Sequence, residues 1–217
     1  MDDEGAGSPS EWRENFRDLA KINKWLGGVR ATVTEVNRLA VSPRTILDIG
    51  TGGADMPVAI VDHLRTRGTP SRCVALDRSA RALAAAAERL QGRADIELIH
   101  ADAIPLPFPD RSFDLVTCNL ALHHFDPPDA VRALSEMARV GRDVIVNDLR
   151  RSTAGWLLAK ATFPLFTRNR FTLHDGPLSV RRAYSLGEAH ALAIEAGWTR
   201  IAVRTHFAAR MTLSGGR

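Results

Sequence analysis

The chain has 217 residues, enough for one α/β domain with a modest extension and a buried core. At 45% hydrophobic and 25% charged, with no apolar run near the roughly 18–20 residues of a membrane span, it reads as an ordinary soluble globular protein. Residues 150–217 hold 11 Lys+Arg against 3 Asp+Glu, a net of +8, which leaves −4 for the first 149. A basic face for an acidic substrate, a carrier protein or nucleic acid is one reading of that split. A general preference for arginine, with Lys21, Lys24 and Lys160 the three lysines, is the plainer one.

Residues 1–10 are acidic and small, the opposite of a basic signal peptide, and a disordered lead-in is expected there. Two amphipathic helices follow over 11–26 and 29–40, the first carrying Trp12, Phe16, Leu19 and Ile22 at helical spacing, with Gly27-Gly28 as the break. The pattern then alternates. Apolar strands are expected at 45–49, 72–77, 96–100, 113–118 and 143–147, with helices at 55–66, 79–90 (capped by Ser79) and 128–139. Continuous apolar strands between helices imply a doubly wound, mostly parallel Rossmann-like sheet with both faces covered. Cys73 and Cys118 lie inside such runs, so buried free thiols, no disulfide and a cytoplasmic location are expected.

Residues 150–184 leave this rhythm: an apolar helix over 154–166, then an Arg-rich polar loop over 168–177. A helix over 186–196 and strands over 199–207 and 209–213 finish the chain. The expected organisation is one domain over 11–217. It divides into an N-terminal helical cap (11–42), a ligand-binding core (43–149), a cap insertion (150–185) and a C-terminal helix with a strand pair (186–217).

The chemistry is carried by Ile46-Leu47-Asp48-Ile49-Gly50-Thr51-Gly52-Gly53-Ala54-Asp55, a strand entering a glycine turn that opens a helix. Glycines let the backbone approach a ligand with φ angles a side chain forbids. Two acids turn this loop away from dinucleotides. Asp48 would repel a pyrophosphate, and Asp55 occupies the place of the third small residue. A ligand with cationic groups tolerates both. Asp77 ends the next strand, placed to hold ribose hydroxyls, with a helix-capping role as its alternative. His100-Ala101-Asp102-Ala103 closes the third strand, and Asp102 could accept from an adenine amino group. The fourth strand ends at Cys118-Asn119-Leu120, where α/β sheets open into a cleft, and His123-His124 follows.

In this order and spacing these pieces resemble the class I S-adenosylmethionine-dependent methyltransferases, in particular the small-molecule branch with the ubiquinone and menaquinone biosynthesis enzymes. The resemblance covers residues 44–148, with an echo at 184–198. It implies S-adenosyl-L-methionine as cofactor, held by Asp48, Gly50, Thr51, Gly52, Asp77, Arg78, Asp102, Ala103, Asn119 and Leu120. The N-terminal helices would fold over it, with Trp25, Gly28 and Arg30 as candidates and Arg30 a partner for the methionine carboxylate. It also implies a small-molecule acceptor.

A hydroxyl acceptor benefits from a general base. His124 and His174 are the candidates, each with an ordinary structural or loop histidine as its alternative. Asn119, Asn147 and Asp148 hold too few carboxylates for a hard metal ion, and none is expected. Asp126-Pro127-Pro128-Asp129 lacks the aromatic that a flipped base would stack on, and reads as a helix start, so nucleic acid is disfavoured. An apolar helix at 154–166 beside Arg168, Arg170, Arg181 and Arg182 suggests an apolar pocket with a basic rim, suited to an aromatic or polyketide-like phenol. C-methylation of a quinone-like ring, and RNA or protein methylation, stay open. Monomer or homodimer is left undecided.

Overall fold

The computed structural model describes residues 8–167 and 169–217. Ser8 caps α1 (Pro9–Trp25): its Oγ accepts the Glu11 N–H while Glu11 Oε2 accepts the Ser8 N–H. The lead-in expected over 1–10 therefore gives way to helix by residue 9, and residues 1–7 lie outside the described residues. Gly27 (φ +80°) ends this helix in the left-handed region and α2 (Gly28–Val36) starts at once.

The core alternates as the apolar runs require: β1 (Thr45–Ile49), α3 (Asp55–Thr66), β2 (Arg72–Asp77), α4 (Ala80–Arg89), β3 (Ile96–His100), β4 (Phe113–Asn119), α5 (Pro127–Val140) and β5 (Gly141–Leu149). Then come α6 (Thr153–Phe166), α7 (Arg170–Arg182), α8 (Leu186–Glu195), β6 (Arg200–His206) and β7 (Arg210–Gly216). The seven strands run in the order β3-β2-β1-β4-β5-β7-β6, parallel except for β7, which is antiparallel to both neighbours. Leu47, Val116 and Val146 face α5 and α8 in one apolar layer; Ile46, Leu115 and Ile145 face α3 and α4 in the other. Burial on both faces is why these strands carry no polar alternation. Cys73 and Cys118 are free and buried.

One expected loop is a helix. Gly176-Pro177 marks 168–177 as a breaker by local propensity, yet α7 runs through both. Asn169 Oδ1 caps it by accepting the Phe171 N–H, and Thr172 and Val180 bury against α1 and α6. Tertiary packing outweighs the proline's missing donor. Arg168 lies outside the described residues. Among them, no helix is long and apolar enough to cross a membrane.

Helices α1, α6 and α7 form a roof over the carboxyl ends of the strands. Trp12 stacks on Phe171 (ring centroids 4.9 Å apart, 15° between planes), and Trp12 and Phe16 pack on Ala82 of α4. Buried polar bonds fasten the roof: Thr172 Oγ1 to Asn15 Oδ1 at 2.5 Å and Thr167 Oγ1 to Asp18 Oδ2 at 2.5 Å.

Candidate functional site

The chain leaves β1 outward to β2 and β3, then returns to lay β4 on the other side of β1. A crevice must open where the connections diverge, at the carboxyl ends of β1 and β4. A cavity of about 920 Å³ stands there, walled by the strand ends and covered by α1, α6 and α7.

Gly50 (φ +66°) and Gly52 (φ +55°) both take left-handed conformations, and a Cβ on Gly50 would come 2.8 Å from the Ala121 Cβ. Neither position accepts a side chain without strain. Two distant side chains hold the loop. Asp77 Oδ2 accepts the Gly52 N–H at 2.8 Å, and Arg89 Nε donates to the Gly53 carbonyl at 2.6 Å. Asp77 Oδ1 also accepts the Ser79 N–H at 2.9 Å, so this carboxylate braces the loop and the α4 start together. An ionised carboxylate has about four acceptor sites, so capacity for ribose hydroxyls is left over.

Asp48 lies beneath the loop, 1% exposed. Its Oδ1 accepts from Thr117 Oγ1 at 2.6 Å and from Asn119 Nδ2 at 3.1 Å. Burial outweighs these bonds and pushes its carboxyl up to about 6. The relay continues: Thr32 Oγ1 donates to Asn119 Oδ1 (2.8 Å), and Asn147 Nδ2 donates to Thr32 Oγ1 (2.9 Å) and to the Gly28 carbonyl (2.9 Å). This buried chain ties α2 to the glycine-loop strand.

Thr51, Arg78, Ala103, Asn119 and Leu120 also line the cavity, as does Asp102, whose Oδ1 accepts the Ile104 N–H at 3.2 Å. Leu120 holds φ +54° without being glycine, while its N–H donates to the Asn147 carbonyl at 2.8 Å. Strain of this kind at a strand end turns backbone toward the cleft.

The histidines separate sharply. His123, buried and lining the cavity, places Nδ1 2.6 Å from Asp148 Oδ1, and its backbone N–H donates to Asp148 Oδ2 at 2.9 Å. Burial would raise the Asp148 carboxyl, but the His123 ring and the bonds from His123 and Leu149 hold it below the ordinary carboxylate value. His124 is exposed, lines the cavity mouth and lies against the His123 ring, centroids 4.2 Å apart. His174 turns its ring to solvent, 79% exposed beside Asp175, and does not line the cavity. His123 is thus bonded to a buried carboxylate at the cavity wall, whereas the sequence points to its neighbour. The signal for His123 was Asp148, at the end of the adjacent strand.

Arg30 and Trp25 sit exposed on the outside of their helices and do not line the cavity. Leu26, Asn23 and, from the far end of the chain, Arg210 do.

A methyltransferase-domain family matches residues 46–143, the stretch from the glycine loop to the start of β5. That match makes residues 46–143 similar to a methyltransferase domain. The chain is 38% identical over 96 residues to a demethylmenaquinone methyltransferase of Bacillus licheniformis, covering 44% of this chain and 39% of that one. The corresponding enzyme of Listeria welshimeri is 33% identical over 118 residues, 51% of this chain and 48% of its own. The matched stretches thus span less than half of either relative. Among solved structures, an S-adenosylmethionine-dependent methyltransferase from Aquifex aeolicus shares the fold with a TM-score of 0.69 at 17% identity, over 97% of this chain and 98% of that one. An O-methyltransferase family 2 protein from Planctomyces limnophilus, in complex with apigenin, gives 0.68 at 20% identity, over 100% and 63%. Human N-acetylserotonin methyltransferase in complex with S-adenosylmethionine gives 0.70 at 13%, over 97% and 56%.

Proposed function

We propose that the protein is an S-adenosylmethionine-dependent O-methyltransferase of a small aromatic or polyketide-like hydroxyl compound, with His123 as the general base. The observation that carries the O-methyl reading is the buried His123–Asp148 pair at the cavity wall. The cofactor reading rests on the glycine cradle, on a buried acid below it and on Asp77 beside it. When bound, the cofactor supplies an electrophilic methyl on a sulfonium. Asp48 would hold its ammonium end, Asp77 the ribose and Asp102 with Ala103 the adenine.

The protein's own contribution is alignment, water exclusion and one proton transfer. Asp148 accepts from His123 Nδ1–H, which leaves Nε2 as the basic nitrogen. His123 Nε2 would take the proton of an acceptor hydroxyl held at the cavity wall, and the cofactor would supply the methyl to that oxygen. The imidazolium so formed is stabilised by the Asp148 carboxylate. Ile22, Leu26, Leu149, Leu158 and Val180 supply the apolar wall that an aromatic ring needs.

C-methylation of a quinone-like ring is the second reading, favoured by the demethylmenaquinone methyltransferases among the sequence relatives. Four cations of the basic C-terminal third are already paired or buried, which leaves nucleic acid fewer to hold. Arg200 pairs with Asp143, Arg204 with Glu35 and Arg151 with Glu188, and Arg210 is buried. A labelled S-adenosylmethionine assay across phenols, hydroxybenzoates, naphthoquinols and RNA tests the reading. Label in a methyl ether supports it, label on a ring carbon selects the second reading, and label in RNA alone rejects both.

A further inference from the structure

Arg210 has no part in that reading, yet it is the buried cation of the cavity. It opens β7 at 2% exposure and lines the cavity wall. Its Nε and Nη1 are shut away from solvent and meet no hydrogen-bond acceptor among the described residues. The two carboxylates nearest in charge terms, Asp148 and Asp55, act on it only through space. Asp148 is bonded to His123 and Leu149, and Asp55 Oδ2 to Asn23 Nδ2. Burial lowers its guanidinium to about 10, so it stays charged at neutral pH.

The surroundings are built around this side chain. Gly28 leaves room for it: a Cβ there would come 2.9 Å from Arg210 Cζ and 1.7 Å from Asn23 Oδ1. Asn23 Oδ1 is itself buried without a partner. The turn before Arg210 sets two alanines, Ala208 (φ +57°) and Ala209 (φ +54°), in the left-handed region, and Ala208 lines the cavity. Strain at the turn, a glycine forced by close approach and an uncompensated buried cation all converge on one point. Such groups persist where a ligand completes them.

We propose that Arg210 is a carboxylate receptor in the cavity wall, its free N–H groups closing on the carboxylate of a bound molecule. This rests on the methyltransferase reading, under which two occupants carry that group: the methionine end of the cofactor and an acidic acceptor such as a hydroxybenzoate. Charge-assisted hydrogen bonds of this kind account for about 10- to 100-fold in affinity.

Titration calorimetry on wild type, Arg210→Met and Arg210→Lys tests it. The probes are S-adenosylhomocysteine, its decarboxylated analogue, 4-hydroxybenzoate and phenol, the last two with and without S-adenosylhomocysteine. If the receptor serves the cofactor, Arg210→Met loses about 10- to 100-fold for S-adenosylhomocysteine and nothing for the decarboxylated analogue. If it serves the acceptor, S-adenosylhomocysteine binding is unchanged while the preference for 4-hydroxybenzoate over phenol disappears. Arg210→Lys, which keeps the charge, should retain part of whichever preference is lost, and it carries the test if the methionine variant misfolds. Folded variants that match wild type on all four probes overturn the proposal. A wild type that binds no S-adenosylhomocysteine sinks the methyltransferase reading instead; the 4-hydroxybenzoate arm then decides Arg210 alone.

Discussion

His123 Nδ1 and Asp148 Oδ1 stand 2.6 Å apart, both side chains almost wholly buried, at the ends of neighbouring segments that close the cavity. His123→Ala should lower turnover about 10²–10⁴-fold while S-adenosylhomocysteine affinity stays within about threefold of wild type, as expected for loss of general-base catalysis. Asp148→Asn should also slow turnover and displace the pH–rate profile, because the imidazolium loses its counter-charge. Undiminished methylation by His123→Ala would remove the histidine from the mechanism.

Asp48 predicts a pH dependence with a definite sign. Its carboxyl titrates near 6 in the fold against 3.8 in an unfolded chain. Below pH 4 both states are protonated and the group costs nothing. As pH climbs through 6 the unfolded state ionises first, and the ligand-free fold loses about 3 kcal/mol. Asp48→Asn should therefore melt above wild type at pH 7.5 and together with it near pH 4. The same variant should bind S-adenosylhomocysteine more weakly, and wild-type affinity should fall about tenfold between pH 7 and pH 5. Melting curves and titrations at three pH values check both; equal melting points at pH 7.5 would contradict the first.

The Phe207–Ala209 turn is strained at two alanines, so Ala209→Gly should stabilise the fold. Relief of a left-handed non-glycine residue contributes about 1 kcal/mol, less the entropy glycine adds to the unfolded chain. Denaturant midpoints measure the difference, and a lower midpoint for the glycine variant refutes it.

Glu35 of α2 is 2% exposed and holds Arg204 at 2.9 Å, Arg38 at 3.0 Å and Ser214 Oγ at 3.3 Å. Glu35→Ala should cost about 1–3 kcal/mol, because the arginines partly reach solvent and recover hydration. Since α2 also feeds the Thr32–Asn119–Asp48 relay, cofactor affinity should weaken together with stability. Denaturant unfolding and one titration decide; loss of neither places the ion cluster outside the site's support.

Sequence legibility follows the physics of each part. Strands covered on both faces must be largely apolar, so β1, β2, β4 and β5 could be read directly, as could the glycine loop with its acids. Asp77 was legible as an acid at a strand end, but its bond to Gly52 joins positions 25 apart through a fold contact that no local pattern encodes. His123 and His124 are neighbours of one type, and only burial distinguishes them. Arg210 is not legible in the sequence, because a cation on a strand reads as surface until the roof closes over it. The α7 helix was hidden by Gly176-Pro177, a local signal reversed by contacts to α1.

The roof joins parts of the chain that are made at very different times. Asn15 and Asp18 find their buried partners at Thr172 and Thr167, 157 and 149 positions further on. At about 5–20 residues per second of ribosomal synthesis, roughly 8–30 s separate the two sides. During that interval α1 lacks its α6 and α7 partners, and its apolar face with Trp12 and Phe16 has α4 to settle on. The first wall of the cavity to leave the ribosome is thus locked only after the strand ends of β1 to β5 beneath it have been made. A complete cavity on a growing chain must therefore wait until α7, and after it β7 with Arg210, has emerged.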